Sequence, residues 1–155
     1  MHEGSTREVE RKALISAAVL GSLHGILDYA IYYLAPHILQ IVLTNPIALS
    51  RAIFDVLTSP ISIYVLLALI AIRAMTSVLE LLNRVAGFSL NLVVSIVLFS
   101  YMLQVLNFGS LEIKYLRVNS AVVSGTIDIT PLIAIMLVLF ILHVLSEVIS
   151  LLTEI

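Results

Sequence analysis

The sequence predicts an all-α integral membrane protein built as a bundle of four transmembrane helices. Two observations carry that prediction. Four nearly unbroken apolar stretches, 13–35, 60–82, 85–107 and 131–152, each approach the ~20 residues that an α-helix needs to cross about 30 Å of hydrocarbon. Hydrophobic residues make up 61% of the chain and the mean hydropathy is +1.14, well beyond the roughly 45–50% apolar content of soluble domains.

The N-terminal tail, 1–12, is polar and ends with Arg7, Arg11 and Lys12 just before the first span. Under the positive-inside rule these charges hold the N-terminus in the cytoplasm, and four crossings return the C-terminus to the same side. The first span exceeds the 7–15 residues of a signal-peptide core, so it reads as an uncleaved anchor in the cell (cytoplasmic) membrane. Tyr29, Tyr32 and Tyr33 cluster at its outer end, the pattern of an aromatic interface belt. His2 and His37 read as surface residues.

The segment 36–59 is too polar for a clean span, because it carries Asn45, Pro46, Arg51 and Asp55. It reads as two short helices, either lying at the interface with Ile53, Phe54 and Leu57 as the apolar face or forming a re-entrant hairpin with Thr44-Asn45-Pro46 at its tip. Asn45 with Pro46, and Ser59 with Pro60, are cap-then-proline pairs that start helices. The second span therefore begins at Pro60, and Asn83-Arg84 is a tight connection to the third.

Residues 110–130 differ in kind. They are β-branched, alternate apolar with polar, and flank Asn119-Ser120, which predicts a small extracytoplasmic β-hairpin between the third and fourth spans. A lone two-stranded hairpin is marginal in water and its edges invite pairing. It can meet another chain or lie on its own helix ends.

What composition excludes is as useful. The chain has no cysteine, hence no thiolate metal site, disulfide or cysteine nucleophile. Eight basic and ten acidic residues give a net charge of −2, with no basic field for nucleic acid. Asp28 and Asp55 stand in no paired-aspartate motif, no His-Glu-x-x-His occurs, and Ser146 follows His143 without a nucleophile context. The expectation is a protein that is not an enzyme.

The informative residues are those that are expensive in hydrocarbon. An ionisable side chain there costs about 2.5–3.5 kcal/mol on insertion scales, so each is either part of a pathway or paired. On the fourth span His143, Ser146, Glu147, Ser150 and Glu154 share one helical face. The first carries Ala17, Gly21, His24, Gly25 and Asp28, a small-residue series suited to close helix packing and to partner contact, with two ionisable groups beside it. On the second, Arg73, Thr76, Ser77, Glu80 and Arg84 align; the third offers Asn91, Ser95, Gln104 and Asn107. Counted at 1.5 Å per residue, His24 and His143 fall near mid-membrane, Asp28 nearer the outside, and Arg73, Glu80 and Glu147 in the cytoplasmic half.

That set of six, His24, Asp28, Arg73, Glu80, His143 and Glu147, supports three readings. In the first the histidines are buried and neutral and Arg73 neutralises Glu80 or Glu147, fixing helix register. The chain is then an oligomeric or accessory subunit or scaffold of a membrane complex, with lipid, copies of itself or other membrane subunits as partners. In the second the six residues line an ion or proton path through a homo-oligomeric channel or transporter. In the third His24 and His143 are axial ligands of a haem b in an electron-transfer subunit, although glycines occur on only one of the two helices. The first reading calls for no cofactor and no metal.

Overall fold

Residues 3–44, 49–118 and 121–153 are described by a computed structural model. Among them, four helices are long and apolar enough to cross a membrane: Glu8–Leu43, Pro60–Leu82, Arg84–Val105 and Thr130–Thr153. The chain divides into two compact units, one of Met1–Ile31 and Ser59–Ile96 and the other of Tyr32–Thr58 and Val97–Ile155.

In the first unit, α1 (Glu3–Asp28) packs against α4 (Pro60–Leu82). Helix α4 starts where its cap predicts: Ser59 has an extended backbone and its hydroxyl accepts from the Ser62 N–H at 3.1 Å, while Pro60 lacks only a donor that the first turn would leave unused. Asn83 ends α4 and begins α5 (Arg84–Val105). Its N–H reaches the Leu79 carbonyl at 2.7 Å, and its side-chain oxygen accepts from the Ala86 N–H at 3.1 Å. One asparagine thus serves two helix ends.

The first long helical segment, Glu8–Leu43, runs on past residue 35, where hydropathy alone ends the first span. Tyr29–Leu34 forms a π-helical turn and α2 (Ala35–Thr44) follows directly. Pro36 has no N–H for the carbonyl one turn back and its ring crowds that carbonyl; the widened turn just before it accommodates both. Helix α3 (Leu49–Thr58) is the second short helix of the segment. The Asn45-Pro46 cap and most of the proposed re-entrant tip lie outside the described residues.

The second unit is built on Phe99, Met102 and Leu106 of α5 and its exit. Ile133, Met136 and Phe140 of α6 (Thr130–Thr153) pack on this cluster, and the rings of Phe99 and Phe140 stack at 4.6 Å, a separation at which aromatic pairs attract. Between α5 and α6 run two antiparallel strands, β1 (Ser110–Val118) and β2 (Ala121–Asp128). Leu111 pairs with Ile127 and Ile113 with Gly125, but Leu116 pairs with Val123. Three steps along β1 therefore match two along β2, so β1 carries one extra residue, a bulge between Ile113 and Leu116. The Asn119-Ser120 turn lies outside the described residues.

The chain leaves α5 through three residues of positive φ, Asn107, Phe108 and Gly109. Gly109, at φ 100°, donates to the Leu106 carbonyl at 3.0 Å, and its own carbonyl accepts from the Ile129 N–H at 2.7 Å. That second bond ties the start of β1 to the start of α6. A Cβ on Gly109 would lie 2.8 Å from the Thr130 hydroxyl, so glycine is required here for space as well as for backbone conformation.

Candidate functional site

The first unit holds a buried ion pair between two apolar helices. Arg73 Nε donates to Asp28 Oδ2, and the two side chains are only 9% and 15% exposed. Helix α5 completes the arginine's surroundings: Nη2 donates to Ser95 Oγ at 3.1 Å, and Nη1 approaches the Asn91 carbonyl oxygen at 3.5 Å. The Arg73 carbonyl is occupied too, by the Thr76 hydroxyl at 2.9 Å.

Helix geometry explains why these two residues meet. A Cβ added to Gly21 would lie 2.8 Å from Ala74 Cα, and one on Gly25 would lie 2.7 Å from Ile70 Cα. Four residues forward on α1 therefore match four backward on α4, an antiparallel register set by direct backbone contact. Continued three residues, that register puts Asp28 level with Leu67, six residues or about 9 Å from Arg73. Side chains on a helix lean toward its N-terminus, so in this antiparallel pair Arg73 and Asp28 lean toward each other and close the gap.

Two expectations are corrected by this geometry. The partner of Arg73 is Asp28, not Glu80 or Glu147, because the glycine contacts and not distance from a nominal membrane edge set which residues are level. The small-residue face of α1 is closed within the chain: Gly21 and Gly25 are buried against α4, and Ala17 on the same stripe is half-buried. Their fit to a neighbouring backbone is met inside the unit, so this face is not free for a partner protein.

The tyrosines at the end of the first span pack inward. Tyr29 and Tyr33 are buried. In the first unit the Tyr29 hydroxyl hydrogen-bonds the fully buried Ser62 hydroxyl. In the second unit Tyr33 stacks on Tyr101 at 5.8 Å with rings nearly parallel, and His37 Nδ1 donates to the Tyr33 carbonyl at 2.7 Å. His37 is thus half-buried and anchored, not a surface residue.

The remaining residues of the six are placed as follows. His24 is exposed, flanking the buried face of α1, and Glu80 is exposed near the Asn83 turn, with Gly87 of α5 packed on its backbone. On α6, His143 Nε2 lies 3.3 Å from Glu147 Oε1, one turn on, with the side chains 62% and 31% exposed. Neither histidine is the buried imidazole expected from its depth. Among the described residues no group of three or more metal-binding side chains occurs.

Sequence reading missed Asn91 and Ser95 as partners of Arg73. The Ser95 hydroxyl on the polar side of the third span carried a signal, whereas Asn91 contributes its backbone carbonyl and carried none; aligning Gly21 with the small pair Ala74 and Ser77 would have supplied the register. Four long apolar helices, two of them joined by a buried ion pair, are those of a multi-pass membrane protein. No protein-family model matches the chain, and comparison with curated proteins and with solved structures finds no significant match.

Proposed function

We propose that this chain is a non-catalytic, multi-pass subunit or scaffold of a membrane complex, oligomeric or accessory to other membrane proteins. The observation that carries this reading is the closed state of the intramembrane arginine. A residue that moves ions needs exchangeable contacts, whereas Arg73 is held by Asp28, Ser95 and the Asn91 carbonyl. A pairing of that kind fixes helix positions. Little of the 17.0 kDa chain lies outside its long helices and hairpin, so contact surfaces are its means of action.

In this reading the protein sits in the cell membrane with both termini cytoplasmic, as the basic tail before the first span favours. The helices within 36–59 lie at the outer interface and the β1–β2 hairpin is extracytoplasmic. The hairpin edge and the lipid-facing helix surfaces are then the places where partners bind.

Extraction from the native membrane in mild detergent, followed by light-scattering mass measurement with the detergent subtracted, tests the proposal. The expected result is a mass well above one chain, reduced when the hairpin is deleted. A bare 17.0 kDa protein, unchanged by that deletion, overturns it.

A further inference from the structure

We propose that Phe108 anchors the chain in the interfacial layer of the lipid bilayer, at the level where α5 and α6 leave the hydrocarbon. The inference rests on these two helices crossing the membrane and holds whether or not the chain is part of a complex. It starts from a strained backbone. Phe108 has φ 52° and ψ 27°, between Asn107 at φ 47° and Gly109 at φ 100°. Glycine enters this left-handed region freely and asparagine more readily than most residues, whereas a bulky aromatic residue there is an outlier.

The turn explains its neighbours. The Asn107 side-chain amide donates to the Ser110 carbonyl at 2.8 Å, and Gly109 donates to the Leu106 carbonyl and accepts from the Ile129 N–H. These bonds hold the backbone on both sides of Phe108, and a glycine at 108 would meet them without strain. Packing within the second unit does not require the ring either. Phe108 is 66% exposed, it takes no part in the Phe99, Met102 and Leu106 cluster, and it makes no ring contact among the described residues. The free energy held in its backbone is recovered by a contact outside the chain.

Its level identifies that contact. Helix α5 is 22 residues long and α6 is 24, about 33 and 36 Å at 1.5 Å per residue, so each covers a hydrocarbon core of about 30 Å with little to spare. The bond from the Ile129 N–H to the Gly109 carbonyl at 2.7 Å ties the exit of α5 to the start of α6, so both helices leave the core at one level. Asp128, whose carboxylate accepts from the Thr130 N–H at 2.8 Å, marks the water side of that level, and the apolar run from Pro131 marks the other. Phe108 lies between Val105, the last residue of α5, and Gly109 at the tie. The boundary between headgroups and acyl chains takes a Phe ring out of water while the polar backbone beside it stays solvated.

The chain contains no tryptophan and no cysteine, so position 108 can be probed alone. The full chain carrying Phe108→Trp is reconstituted in phosphatidylcholine vesicles, and its fluorescence is quenched in turn by lipid brominated near the ester end of the acyl chain, by lipid brominated near the methyl end, and by aqueous iodide. The expected result is quenching by the ester-end bromines severalfold stronger than by the methyl-end bromines, with iodide quenching severalfold weaker than for the same variant unfolded in denaturant. Strong iodide quenching without lipid quenching places the ring in water and overturns the proposal. Quenching mainly by methyl-end bromines places it in the hydrocarbon core, and quenching by none of the three places it under protein; each overturns the proposal as well. Phe108→Cys carrying a nitroxide repeats the reading with a smaller native-site change: relaxation by oxygen is expected to exceed that by a water-soluble nickel chelate, and the reverse order, or insensitivity to both, counts against the anchor.

Discussion

Asp28 and Arg73, 45 residues apart in the chain, form the ion pair that joins the first two long helices, and they do so across about 9 Å of axial offset because each side chain leans toward the other. Removing one partner leaves a lone charge in an apolar setting. Arg73→Ala or Asp28→Ala is expected to destabilise the protein by about 3–5 kcal/mol. Replacing both, as Arg73→Met with Asp28→Leu, is expected to cost far less than the sum, since the stranded charge is what is expensive. Reversible unfolding in mixed micelles checks this, and additive losses in the double variant would exclude a paired role.

The pair depends on the glycine contacts beneath it. With Cβ atoms falling within 2.8 Å of the α4 backbone, closest for Gly21 at the Arg73 carbonyl, Gly25→Val and Gly21→Val must push α1 outward. A shift that lengthens the salt bridge couples the two features, so Gly25→Val is expected to lose about 1–3 kcal/mol and to make a following Arg73→Ala cost less than it does in the native chain. A double-mutant cycle on unfolding free energies reads the coupling, and strict additivity would separate the glycine face from the ion pair.

These contacts also show what the sequence could and could not disclose. The long helices were legible because apolar runs of spanning length have few alternatives, and the Ser59-Pro60 cap was legible because its chemistry is local. The partner of Arg73 was not. Depth counted from the start of an apolar run carries an error of a turn or more, enough to exchange Asp28 for Glu80, whereas register follows from which small residues meet. Tyr29, Tyr32 and Tyr33 read as a belt because three tyrosines at a span's end fit one, and spacing alone did not disclose that Tyr29 and Tyr33 are buried, Tyr29 against the Ser62 hydroxyl. Histidine depth was no guide to burial: His24 lies beside the glycine face instead of on it, and His143 lies on a helix with no buried residue.

Two glycines near the strands provide an internal contrast. Gly109 combines φ 100° with a Thr130 contact that a side chain would violate, while a Cβ on Gly125 meets nothing within 4 Å. Gly109→Ala is expected to cost about 1–3 kcal/mol through left-handed strain and to expose the Ile129 amide to exchange. Gly125→Ala is expected to be neutral or slightly stabilising, since glycine is a poor strand residue. Amide exchange at Ile129, compared in the two variants, checks the assignment; equal protection in both would mean that Gly109 does not secure the start of α6.

Just beyond that contact, Asp128 accepts hydrogen bonds from the Thr130 side chain and from its backbone N–H at 2.8 Å, and these hold its carboxyl below the ordinary 3.8. The charged form is favoured in the folded state, and the carboxylate also faces the positive end of the α6 dipole. Because the folded pKa is depressed, the stabilisation is complete above the unfolded value and is lost as pH falls through the folded one. Acidification below about pH 4 is therefore expected to loosen the first turn of α6. Asp128→Asn keeps an acceptor for the Thr130 N–H but carries no charge and does not titrate, so it should lower protection of the first turn of α6 at neutral pH toward the acid level and remove this part of the acid sensitivity. Exchange of the Thr130 amide, followed from pH 6 to pH 2 after correction for intrinsic rates, reads the difference, and parallel profiles in the native chain and the variant would rule out the Asp128 contribution.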